Sequence, residues 1–164
     1  MAISLDCNSL AVHALIDGTI SRVKGGQLQR IAAGIVRESV IANFGFSGRP
    51  PWAALEHRKG GSPLIKSGGL KGSIYSRYDS DAAYVYTTKK YAPTHQFGAK
   101  KGEYGTATAN VKEFSRKNGS KVRAHTRQQQ IPWGDVPARP FMLIQDEDIV
   151  KIQAKQAIFI ERGA

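Results

Sequence analysis

Histidine titrates nearest neutral pH and is the commonest metal ligand, and this 164-residue chain has four, at 13, 57, 95 and 125. None forms a His-x-x-x-His pair, none has a companion cysteine or paired carboxylates, and Cys7 is the sole cysteine. That spacing assembles neither a zinc site nor an intrachain disulfide. No nucleophile elbow brings Ser, His and an acid together. His95 has the most suggestive neighbours, in "PTHQFGAKKGEYG" at 93–105. With no base, acid or ligand at useful spacing, the stretch reads as a structural corner. Pro93 restricts entry, Gly98, Gly102 and Gly105 permit reversals, Phe97 buries as an anchor, and His95 and Gln96 hydrogen-bond the corner or an adjoining subunit. Arg139 and Phe141 of "PARPF" are candidates for the same corner.

Other groups have plainer readings. "DED" at 146–148 offers three carboxylates in one turn, but the backbone dipole favours acids at a helix start unaided. "KSGGLKGS" at 66–73 has the composition of a phosphate-cradling loop without its Gly-x-x-x-x-Gly-Lys-Ser/Thr order, and it leads into a strand where such loops lead into a helix. Trp52 and Trp133 each follow a proline and suit either anchors of irregular segments or interface contacts. No metal and no cofactor are expected.

Charge is more informative. The chain carries 24 Lys and Arg against 13 Asp and Glu, a net +11, and residues 99–130 hold eight basic residues against two acidic, a local +6. Lys112, Arg116, Lys117, Lys121, Arg123 and Arg127, with Phe114 among them, are candidates for a subunit interface or a DNA channel. They can grip phosphates, face DNA without gripping it, pair with an acidic protein surface, or keep an edge ribbon soluble.

The elements that place these groups come from periodicity. Apolar residues at helical spacing predict helices near 8–22 and 27–44, divided by "VKGGQ". "FGFSGRPPWAALEHRKGGSP" is an ordered loop pinned by Trp52. The period changes to two over 70–78 and 82–88, two strands joined by an acidic turn, and "NG" at 118–119, a dipeptide suited to two positive-φ turn residues, centres a hairpin over 106–130 long enough to project. An acidic start and i+4 charge pairs predict a closing helix over 146–161. These elements form one α+β domain over 1–164. No signal peptide or membrane span is expected, and the lone cysteine suits a reducing compartment.

The ordered blocks "PLIKSGGLKGSI", "YAPTHQFG", the basic hairpin, "IPWGDVPARPF" and "DEDIVKI" resemble the virion morphogenesis proteins, tail completion proteins of Mu-like and P2-like phages. The resemblance covers most of residues 26–160. It implies a small twisted antiparallel sheet flanked by helices, with a long hairpin reaching toward neighbours. It also implies a non-enzymatic subunit without catalytic residues, in a ring, commonly of six, at the virion neck or tail end after assembly in the host cytoplasm. The implied partners are further copies of the chain, tail tube and head–neck proteins, with possible non-specific contact to DNA in the channel and none to membrane. A basic nucleic-acid-binding module is the alternative, favoured by the charge alone.

Overall fold

The computed structural model describes residues 9–55 and 60–162, with side chains from Val12 onward. Cys7 and His57 lie outside the described residues. Among the described residues four helices form: α1 (Ser9–Lys24), α2 (Gln27–Gly45), α3 (Ala92–Phe97) and α4 (Asp146–Arg162). The strands are β1 (Ile74–Tyr78), β2 (Ala83–Thr87), β3 (Thr106–Val111), β4 (Phe114–Ser115), β5 (Lys121–Val122) and β6 (His125–Gln130). The class is α+β with antiparallel pairing throughout, and the strands pair two by two: β1 with β2, β3 with β6, β4 with β5. No described helix is long and apolar enough to cross a membrane.

Helix α2 is the spine. Ala33, Val36, Val40 and Phe44 recur at three- and four-residue steps, which places them on one stripe. That stripe packs on β1, β2 and α4. The core gathers Val40 and Phe44 with Trp52, Leu70, Ile74, Ala92 and Phe141. Phe44 meets Trp52 edge-on at 5.8 Å between centroids and Phe141 at a tilt at 5.5 Å, the arrangements that aromatic quadrupoles favour. Trp52 pins its loop as its spacing suggested, donating Nε1–H to the Pro140 carbonyl at 2.8 Å.

The first strand starts later than alternation implies. Residues 71–73 form a 3-10 turn, with the Ser73 hydroxyl donating to the Leu70 carbonyl at 2.7 Å. Leu70 and Ile74, four residues apart and both buried, are spaced for a helical turn as well as for a strand, so periodicity alone cannot separate them. The β1–β2 turn is closed by Asp79, whose Oδ1 accepts the backbone N–H groups of Asp81 and Ala82 at 2.9 and 2.8 Å. Those two bonds hold the Asp79 carboxyl below its usual range, while a hydrogen bond to Asp79, and then its charge, push the Tyr84 phenol up.

The second hairpin is a single ribbon. Partner pairs keep one register from Thr106↔Gln130 to Val111↔His125 and again from Phe114↔Val122 to Ser115↔Lys121. The Arg116 N–H donates to the Ser120 carbonyl at 2.8 Å, and the Gly119 N–H to the Arg116 carbonyl at 2.9 Å. Among the turn residues only Gly119 takes a positive φ, 84°. This is a three-residue loop with a left-handed glycine, not the two-residue turn in which Asn118 would also be left-handed. Apart from four half-buried residues, Ala109, Val111, Val122 and Gln129, the ribbon is exposed along its length.

Candidate functional site

Two regions carry the residues singled out by sequence. The first is the corner, which folds as helix α3 where a plain turn was expected. Pro93 lies in its first turn, where the missing N–H costs nothing. Gly98 ends it at φ 78°, and a Cβ there would stand 2.9 Å from the Ala138 nitrogen and the Val136 carbonyl oxygen, so only glycine lets the two chain segments approach this closely.

Gln96 is the clasp of this corner. Its Oε1 accepts the backbone N–H groups of Phe141 and Met142, both at 3.0 Å, and its Nε2 donates to the Met142 carbonyl at 3.4 Å. The Arg139 N–H donates to the His95 carbonyl at 2.7 Å. The buried Arg139 guanidinium donates to the carbonyls of Ala53 and Ala54 at 3.2 and 3.4 Å. Phe141 is wholly buried. Thus His95, Gln96, Arg139 and Phe141 do come together. Phe97 does not join them: it is 77% exposed. Successive helical residues point about 100° apart, so seating Gln96 on the 141–142 backbone turns Phe97 to solvent.

His95 is half-buried, its ring edge-on to Tyr91 at 5.7 Å, and its Nδ1 is buried without a hydrogen-bond partner. Burial, and then the nearby Arg139 cation, push its pKa below the usual imidazole value. His95 and Tyr91 line a cleft of about 660 Å3 together with Lys66, Ser67 and Val136. Among the described residues the cleft's one carboxylate is Asp135, whose Oδ1 accepts the Lys101 backbone N–H at 2.8 Å. Nor does any described group of three His, Cys, Asp or Glu stand close enough to hold a metal ion.

Next to the corner is a polar network that sequence reasoning missed. Asp148 is 1% exposed, and its Oδ2 accepts the Ser39 hydroxyl at 2.5 Å and the Gln145 N–H at 2.9 Å. The second bond caps α4; the first fastens it to α2. Arg49 donates to Asn43 Oδ1 at 2.8 Å and to the Ser39 hydroxyl and carbonyl at 2.7 and 3.0 Å, while Asn43 donates to the Phe141 carbonyl at 2.9 Å. Ser39 and Asn43 are one helical turn apart on the buried face of α2. Polar residues in an otherwise apolar stripe were the available signal, since buried polar groups need partners.

The second region is the ribbon. Lys112, Phe114, Arg116, Lys117, Lys121, Arg123 and Arg127 are all exposed. Among the described residues the ion pair is Arg49–Glu147, at 3.9 Å, and these cations meet no described carboxylate within salt-bridge distance. At the ribbon's base Trp133 is 71% exposed, which separates it from the buried Trp52. The segment presenting it is held by backbone bonds, Gly102 N–H to the Pro132 carbonyl at 3.0 Å and Tyr104 N–H to the Ile131 carbonyl at 2.8 Å.

The sequence profile of the phage virion morphogenesis family matches residues 18–157, a span that includes the clasp, the network and the ribbon. This chain belongs to that family. Mu-like prophage FluMu G protein 2 of Haemophilus influenzae is 34% identical to it over 138 residues, covering 84% of this chain and 78% of that protein. No solved structure matches the chain. A virion morphogenesis protein has a structural or assembly role in the phage particle.

Proposed function

We propose that this virion morphogenesis protein is a subunit of a ring, commonly of six copies, at the head–tail junction, where it caps the tail tube and enables heads and tails to join. Its place is then the neck or tail end of the virion, with tail tube and head–neck proteins above and below. The observation that carries the reading is α1: Val12, Leu15, Ile16, Ile20 and Val23 are all exposed. A helix with its apolar residues in water is unstable in isolation, and contiguous apolar surface of this kind marks an interface. Exposed Phe97 and Trp133 extend the same demand to the corner and the ribbon base. Contacts repeated around a closed ring act together, so no single interface has to be strong. Six copies of a +11 chain carry about +66, a field suited to a DNA path or an acidic tube surface.

Electron microscopy of particles made without the protein tests the role. Separate heads and tails are the expected result, and tails of uncontrolled length assign termination as well as joining. Joined particles of normal tail length would overturn the reading. Native mass measurement of the purified chain checks the ring itself, and a strict monomer at every concentration counts against it.

A further inference from the structure

Between Lys112 and Arg127 six Lys and Arg stand against Glu113 alone, and their placement on the ribbon is uneven. Alternate residues of a strand share a face. Because the register that ends at Val111↔His125 resumes unchanged at Phe114↔Val122 after two residues on each strand, one face carries Lys121, Arg123, His125 and Arg127 in a row along the returning segment. The other face carries Thr106, Thr108, Asn110, Thr126, Gln128 and Gln130, and ends in the Phe114–Val122 pair flanked by Lys112 and Arg116. On the first face Lys121 and Arg123 are about 7 Å apart along the strand and Arg123 and Arg127 about 13 Å. His125 Nδ1 donates to the Arg123 carbonyl at 2.9 Å, fixing the ring within the row.

Like charges neighbouring on one face of a ribbon repel, and Glu113, opposite Arg123, is the row's only acid by register. A two-stranded ribbon has little packing to offset that repulsion. Solubility needs no such row: charge scattered over both strands protects an edge equally well, yet on this face the outgoing strand's residues at 107, 109, 111 and 115 are uncharged. An acidic protein surface fits the row poorly. The cores of protein interfaces are enriched in aromatics and depleted in Lys, though not in Arg, and the ribbon's aromatic, Phe114, is on the opposite face. Phosphates are contacted foremost by Arg and Lys side chains, and the major groove of a duplex, about 12 Å wide, admits a two-stranded ribbon.

We propose that the ribbon face bearing Lys121, Arg123 and Arg127 is a sequence-independent binding strip for the phosphate backbone of duplex DNA, and that the Phe114–Val122 face is turned away from it. This goes beyond the ring reading and does not depend on it, because a single chain carries the whole strip.

The test is binding of a mixed-sequence duplex to the full-length protein, followed by fluorescence anisotropy between 50 and 200 mM salt. Loss of three phosphate contacts in K121S/R123S/R127S should flatten log affinity against log salt by about 2.7, equivalent to removing about 40-fold of the affinity change over that range. K112S/R116S should change the slope by less than about 1, and K121R/R123K/R127K should retain the wild-type slope, since counterion release follows charge. Thermal unfolding of each variant establishes that it is folded. No duplex binding by the wild type at 50 mM salt overturns the proposal. So does an equal slope change in the K112S/R116S variant, or displacement of the duplex by polyglutamate as effectively as by a second duplex.

Discussion

Around Gln96 the protein buries polar side chains and satisfies them; a few residues further along, from Thr106 to Gln130, it exposes charged ones that form no ion pair among the described residues. The clasp joins segments distant in sequence: Gln96 to the backbone of 141–142, Arg139 to Ala53 and Ala54, Asp148 to Ser39. In the ribbon, the strands of one hairpin pair through their backbones, and all but four of the side chains are exposed. A buried polar atom left without its partner loses its hydration with no return, so the clasp tolerates few substitutions. An exposed cation keeps its hydration in every state, so the ribbon can change its side chains without unfolding. Stability resides in the first region, and the recognition we propose resides in the second.

Phe141→Ala should break the comparison most sharply. Removing a wholly buried ring from between Phe44 and the clasp is expected to cost about 3–5 kcal/mol in urea denaturation, a large share of a typical domain's stability. A loss near zero would mean that the corner is not part of the core.

Asp148→Ala and Gln96→Ala should come next, at about 1–3 kcal/mol each. The first strands the Ser39 hydroxyl and uncaps α4; the second strands the N–H groups of Phe141 and Met142. The two sites share the segment that leads into α4, so the double variant should depart from additivity.

A smaller effect is set by pH. Burial and Arg139 lower the folded-state pKa of His95, so the unfolded chain binds its proton more readily. Its contribution is therefore fully present above the unfolded value of about 6.5 and is lost as pH falls from there toward the depressed folded value. The midpoint of thermal unfolding should drop between pH 7 and 5 by more in the wild type than in His95→Asn. Parallel curves would show that the imidazole is not held neutral by its burial.

Smallest of all should be Phe114→Ala, on the ribbon tip. With its ring half in solvent, it should alter stability by no more than about 0.5 kcal/mol in the same urea assay. A loss approaching that of Phe141→Ala would dissolve the distinction between the two regions.

Much of this architecture is decided by relations between near neighbours in the chain, and those are legible in the sequence. The apolar stripe of α2, the acidic start of α4, the alternation of β1 and β2, and the basic hairpin centred on Asn118–Gly119 all follow from residues a few positions apart. So does the charge of the ribbon, though not its register, which the three-residue loop shifts by one from what a two-residue Asn118–Gly119 turn would give. Family resemblance rested on the same local blocks. Tertiary structure alone decided which polar residues meet. Asp148 finds Ser39 across 109 positions and Gln96 finds Phe141 across 45, and no periodicity encodes such pairs. It decided that 92–97 becomes a helix, that Phe97 and Trp133 stay in solvent while Trp52 is buried, and that α1 keeps its apolar residues exposed. The reason is the range of the forces involved. Backbone preference and amphipathic period act over one or two turns, whereas burial is settled by which distant surfaces arrive.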